Sequence, residues 1–179
     1  MPRAERPDMR AYGVSIDDLD GVLPWSWAEE RLLRNRNYWV VTANGTGRPH
    51  ALPVWGVWLP DPDRFVFSCA PTSRKARNLA KNPRVCVATD DTVECISVEG
   101  TAAVIVGNGI GIGAEPEAAS REVAARYAEK YEPDAAKREE MMAFVLAHLI
   151  VEVTPERAFG IIEREDDFAR RATRWVWAD

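Results

Sequence analysis

Apolar residues along this chain follow two rhythms. A period of two, the signature of a half-buried strand, runs through “YWVVTA” (38–43), “HALPVWGVWL” (50–59), “RFVFSCA” (64–70), “RVCVATD” (84–90) and the long “VECISVEGTAAVIVG” (93–107). It returns in “HLIVEVTP” (148–155), “RAFGIIER” (157–164) and the closing “TRWVWAD” (173–179). Helical spacing marks “PWSWAEERLLRNRN” (24–37), then two stretches near 115–131 and 134–147 that break at Pro133. A shorter helix is predicted over 73–82, with Ser73 as its N-cap and Pro83 as its stop. The turns “NGTGRP” and “PDPD” join the first three strands into an antiparallel meander. Residues 1–23 lack sustained periodicity and carry Pro, Asp and Gly, so an extended or partly ordered N-terminal arm is expected there. Six or seven strands in hairpin order with inserted helices predict one α+β domain over 24–179, built as a small closed antiparallel barrel.

Composition narrows the functional classes. With 179 residues, 46% hydrophobic and 28% charged, the chain suits a single domain with a sizeable core. A net charge of −5 argues against general nucleic-acid binding, which draws its affinity from phosphates neutralised by Lys and Arg. The apolar runs fall short of the roughly 20 residues needed to span a bilayer. The N-terminus has no apolar stretch of the signal-peptide kind, so no membrane association and a cytoplasmic location are expected. Cys69, Cys86 and Cys95 are odd in number and lack CxxC spacing, which suits core thiols in a reducing compartment rather than a disulfide framework or a zinc site. Seven tryptophans are many for this length; core packing accounts for most, with an interface or a flat ligand as the alternative. “GNGIGIG” (107–113) contains GxGxG, but it lacks the third glycine of a dinucleotide fingerprint and has no βαβ unit around it, so it reads as a connection.

The candidate chemistry lies in “TSRKARNLAKNP” (72–83). Arg74, Lys75 and Arg77 crowd the start of a helix, where each exposed cation opposes the macrodipole at a cost of roughly 0.3–1 kcal/mol. Placing Ala76, Leu79 and Ala80 on the buried face leaves Arg74, Lys75, Arg77 and Asn78 free to project. With the Ser73 hydroxyl and the backbone N–H groups of 74–76 they could hold a phosphate, each charge-assisted bond contributing roughly 1.5–3 kcal/mol. A solvated basic turn is the alternative. A second oddity is the strand at 50–58: Pro53 gives no ladder hydrogen bond and Gly56 exposes backbone. That suits a flat ring framed by Val54 and Trp55, or simply a bulged edge strand. A phosphate seat beside a ring platform describes a phosphorylated aromatic cofactor. No acid–base pair emerges; His50 and His148, the two histidines, read as structural.

“RPHALPVWGVWLPDPDRFVFSCAPTSRKARNLAKNPRVCV” resembles the core of the pyridoxamine 5'-phosphate oxidase-like, FMN-binding split-barrel superfamily. Its “HxxPVW…SRKARNL…NPRV” pattern is similar to the branch of flavin- and deazaflavin-dependent oxidoreductases. The resemblance spans about 38–106, with weaker echoes at “AFGI” and “ATRWVW”. It implies an FMN or coenzyme F420 cofactor, with Ser73, Arg74, Lys75 and Asn78 on the phosphate side. Ser68 and Cys69 would lie near the ribityl chain, and Pro53, Val54, Trp55 and Gly56 along the ring. It also implies a homodimer with the cofactor at the subunit interface, where Trp175 would close the partner's site. The implied activity is hydride transfer from reduced F420 to a small conjugated organic substrate. An FMN-dependent oxidoreductase is one alternative, and a non-catalytic flavin, deazaflavin or haem binding protein another. True pyridoxamine phosphate oxidases carry arginine, lysine and glutamine where this chain has Pro53, Trp58 and Cys95, and a C-terminal Arg/His signature that is missing here, which speaks against vitamin B6 oxidation.

Overall fold

The computed structural model describes residues 1–106 and 117–178; “GNGIGIG” lies outside the described residues. The elements in chain order are β1 (Arg3–Glu5), α1 (Trp25–Arg34), β2 (Asn37–Ala43), β3 (Pro49–Pro60), β4 (Asp63–Cys69), α2 (Arg74–Leu79), β5 (Arg84–Thr89) and β6 (Glu94–Val106). They continue with α3 (Glu117–Tyr131), α4 (Arg138–Leu146), β7 (Leu149–Ile162) and β8 (Thr173–Val176). Six strands close an antiparallel barrel in the order β2-β3-β4-β7-β6-β5, and β8 with β1 extends the sheet from β7. This is the expected α+β split barrel. Among the described residues no helix is long and apolar enough to cross a membrane.

The split has a definite origin in strand pairing. Residues Pro49 to Trp55 of β3 pair with β2, whereas Gly56 to Pro60 pair with β4. β7 likewise meets β4 with Leu149 to Val153 and β8 with Arg157 to Gly160. Each long strand therefore passes from one partner to another, and β3 and β4 diverge beyond the Gly56–Phe67 pair. The two segments expected at 148–155 and 157–164 form the single strand β7. Pro155 does not interrupt it because a register shift opposite Glu99 and Gly100 absorbs the missing N–H.

Inward-facing Tyr38, Val40, Phe65, Phe67, Ile96 and Val98 fill the barrel, each fully buried. A tryptophan nest closes one end. Trp25 packs 5.8 Å from Trp58, 5.6 Å from Trp175 and 4.9 Å from Trp177, and Trp27 stacks on Trp175. Gly160 makes room for it, since a Cβ there would lie 2.6 Å from the Trp175 ring. Core packing thus accounts for five of the seven tryptophans. A second apolar layer, including Val57, Val66, Val123, Val145 and Ile150, fixes α3 and α4 to the outside of β3, β4 and β7.

The N-terminal arm is anchored through a buried cation. β1 pairs with β8, and Arg6, 1% exposed, donates to the carbonyls of Asp18 (2.8 Å), Asp20 (2.6 Å), Ala169 (3.2 Å) and Ala172 (3.2 Å) as well as Arg170. Its donors thus satisfy carbonyls from two chain segments at once. Arg6→Ala strands these acceptors, and a buried unsatisfied group costs about 1–3 kcal/mol. The expected loss in urea unfolding is therefore about 3 kcal/mol or more, with detachment of the arm visible as faster amide exchange at residues 3–6.

Candidate functional site

The point where β3 leaves β2 for β4 exposes backbone groups that no strand can satisfy, and α3 supplies their partners. The Tyr127 hydroxyl accepts from Ser68 N–H at 3.1 Å and donates to the Trp55 carbonyl. The Tyr131 hydroxyl accepts from Gly56 N–H at 2.8 Å and lies 2.7 Å from the carbonyls of Gly56 and Arg36. Lys130 Nζ donates to the Gly56 carbonyl at 3.0 Å and to the Tyr38 hydroxyl at 2.7 Å. Burial pushes the Tyr127 and Tyr38 hydroxyls well above the usual phenol range and Tyr131 up to about 12. Burial, helped by the Arg36 charge, lowers Lys130 to about 8.

Beside this junction lies a cavity of about 330 Å³ between the barrel and α4. Pro53, Val54 and Trp55 of β3, Ser68 and Cys69 of β4, and Ser73 and Lys75 at α2 all line it. Seven of the eleven residues predicted to hold a cofactor are thus brought together. Tyr127 from α3 and Met141, Phe144, Val145 and His148 from α4 and its C-terminal end complete the wall. These five were missed, because helical periodicity shows that a face is apolar without showing what it covers.

The other four predicted residues sit elsewhere. Gly56 offers no bare backbone to a ring: it is buried, and Phe65 fills the space a side chain would take, so that a Cβ there would lie 2.2 Å from the Phe65 ring. Asn78 is buried, its amide donating to Thr42 Oγ1 at 2.9 Å, so it ties α2 to β2. Arg74 is exposed and outside the cavity lining. Trp175 is fully buried within its own subunit, with Nε1 donating to the Leu23 carbonyl at 3.2 Å, and has no surface to offer a partner's site.

The phosphate seat is correspondingly narrower than expected. α2 has six residues, and its buried face carries Lys75, Asn78 and Leu79, while Ala80 is exposed. The Ser73 hydroxyl accepts the Ala76 N–H at 3.2 Å, so that donor is already taken. Arg77 turns back to the Thr72 carbonyl. Lys75 alone of the three cations lines the cavity. Its stem is buried, and its ammonium makes no hydrogen bond or ion pair among the described residues. Nearby, buried His50 Nδ1 has no partner, and burial followed by the charges of Arg74 and Lys75 hold the imidazole below its ordinary range. The Lys75 ammonium calls for an anionic acceptor, so the corner fits a phosphate. Burial raises the Cys69 thiol, while a hydrogen bond with Ser73 and the Lys75 charge partly oppose this. Trp55 can give a flat ligand only one face, since Tyr131 stacks on the other at 4.8 Å and 9°.

Comparison with known proteins bears on the same span. Residues 28–159 match the family profile described as pyridoxamine 5'-phosphate oxidase. The chain belongs to that family. Solved structures share its fold. A conserved hypothetical protein of Mycobacterium tuberculosis has a TM-score of 0.64 at 18% identity, covering 80% of this chain and 88% of its own. A pyridoxamine 5'-phosphate oxidase-related, FMN binding protein of Nostoc punctiforme has a TM-score of 0.57 at 16% identity, covering 88% and 98%. The haem storage protein HutZ of Vibrio cholerae has a TM-score of 0.55 at 17% identity, covering 75% and 91%. No curated protein matches the sequence.

This member of the pyridoxamine 5'-phosphate oxidase family should show two titration effects. Lys130 is lowered to about 8, so between there and the ordinary lysine value of about 10.4 the unfolded chain binds the extra proton. The unfolding free energy of wild type relative to Lys130→Met should therefore rise from pH 8 towards pH 10 and stay level below pH 8. For His50, NMR should find titration below the ordinary imidazole range of about 6.5, and a bound phosphate should move it upward by offsetting the neighbouring cations. An unmoved His50 on addition of FMN would place the phosphate elsewhere.

Proposed function

We propose that this protein is a flavin- or deazaflavin-dependent oxidoreductase that binds the phosphate of coenzyme F420 or FMN at Lys75 and Ser73 and reduces a small conjugated organic substrate. The observation that carries this reading is the Lys75 ammonium, unpaired among the described residues, lining the same cavity as Pro53, Val54 and Trp55. The Pro53-Val54-Trp55 sequence favours F420 over FMN, through its similarity to the deazaflavin-using branch. The FMN binding protein among the structural neighbours supports the second cofactor, and the haem storage protein supports a carrier without catalysis.

When bound, the reduced ring compound supplies the hydride. The protein supplies position. Lys75 and Ser73 fix the anionic end, and Tyr127 holds Trp55 and Ser68 at a set separation through its two hydrogen bonds. Met141, Phe144 and Val145 add an apolar lining. A second copy is the partner of choice for the exposed aromatic stripe of β2 and β3, where Trp39 and Trp55 share one face of the ladder and are 43% and 42% exposed. Trp55 belongs to both stripe and cavity, which puts the site of each subunit at the edge of the proposed homodimer interface.

Titration of the protein with FMN and with F420, followed by calorimetry and by Trp55 fluorescence, tests the reading. Lys75→Ala should raise Kd about tenfold to a hundredfold, matching one lost charged hydrogen bond, and Arg74→Ala should have the smaller effect. Binding of neither cofactor, or equal affinity in Lys75→Ala, would refute it. A haem spectrum without turnover of either cofactor would replace it by the carrier role.

A further inference from the structure

The cavity contains one group whose hydrogen bonding leaves it free to move a proton. α4 ends with the Ala147 N–H on the Ala143 carbonyl and the His148 N–H on the Val145 carbonyl. The His148 ring then folds back so that Nδ1 lies 2.7 Å from the Phe144 carbonyl, one of the acceptors left open at a helix C-terminus. A carbonyl has no proton to give. Nδ1 therefore carries the hydrogen, and the tautomer is fixed with Nε2 as the remaining site. The ring is held on its other sides as well: the Phe144 side chain packs 4.5 Å away, and Leu149, the next residue, is pinned in register with Cys69. Nε2 makes no hydrogen bond among the described residues, and His148 lines the cavity.

The other titratable groups of the wall are committed. Tyr127 gives its proton to the Trp55 carbonyl, and its ionisation is pushed far up by burial. The Cys69 thiol is raised and bonded to Ser73. Lys75 faces the corner assigned to the phosphate, and His50, beyond Lys75, is not part of the lining. From this we infer that His148 Nε2 donates the proton in the reduction, to a conjugated substrate lying beside Met141, Phe144 and Val145.

This rests on the proposed function. The reduced ring compound would supply a hydride to the β-carbon of the substrate, while His148 takes part as the imidazolium, with hydrogens on both Nδ1 and Nε2. The carbon–carbon π pair moves to the α-carbon, which takes the proton from Nε2. His148 is left neutral with its Nδ1 hydrogen still on the Phe144 carbonyl, and it regains a proton from water.

Two measurements test the assignment. Imidazole ¹H–¹⁵N correlation spectra of the protein without cofactor, assigned with His148→Gln, should show the Nδ1–H tautomer for neutral His148; the Nε2–H tautomer would overturn it. Reduction of 2-cyclohexen-1-one by reduced F420 or reduced FMN, whichever binds, should lose about a hundredfold in kcat in His148→Gln, within the usual range for general acid catalysis. Cofactor Kd should stay within about threefold. His148→Asn should behave alike. A His148→Gln rate equal to wild type, with cofactor bound and turned over, would remove the role of His148 and leave the proposed function standing. Failure of both cofactors to bind or turn over would remove both.

Discussion

The architecture depends on satisfying the backbone where β3 changes partners. A strand that leaves β2 at Trp55 and joins β4 at Gly56 leaves peptide groups that no neighbouring strand reaches, and buried orphans of this kind are expensive. Three side chains from one and a half turns of α3 meet that demand: Tyr127, Lys130 and Tyr131 bond Trp55, Gly56 and Ser68. The same contacts decide where the helical insertion sits, and α4, packed against α3, is thereby set over the diverging strands. The cavity is the space between strands that part company and the helices needed to satisfy them. Scaffold and site have one cause.

Strands were legible because inward and outward residues alternate over long runs, and this survives even a proline when a register shift takes it up, as at Pro155. The barrel followed from their hairpin order. The face of α2 was not legible, because an apolar-only reading treats lysine and asparagine as solvent residues. Lys75 buries its methylene stem while its head reaches the cavity, and Asn78 is held inside by the Thr42 hydroxyl 36 residues earlier. No local pattern encodes a partner that distant. Gly56 misled for a related reason, since the missing side chain serves the Phe65 ring across the ladder rather than a ligand.

Long-range contacts also explain the termini. Arg6 looks like a surface charge in an irregular arm, but its guanidinium satisfies carbonyls near residues 18–20 and 169–172. Trp175 looks like an interface anchor in a tail, yet Trp25, Trp27 and the gap left by Gly160 enclose it completely. A rich supply of aromatics thus marks the closed end of the barrel. The smaller exposed set on β2 and β3 marks the surface beside the cavity.

The basic run at α2 shows how a charge arrangement that opposes the helix dipole is tolerated. Arg77 escapes it by turning back to the Thr72 carbonyl, and Arg74 lies in water, where screening makes the cost small. Of the three, only Lys75 is buried along its stem and lines the cavity. No carboxylate is bonded to it among the described residues. The electrostatic imbalance of the whole helix is therefore gathered at one ammonium on the cavity wall. An anion arriving there pairs with the Lys75 ammonium, which gives the free energy of binding a source in the folded protein itself rather than in any rearrangement of the chain.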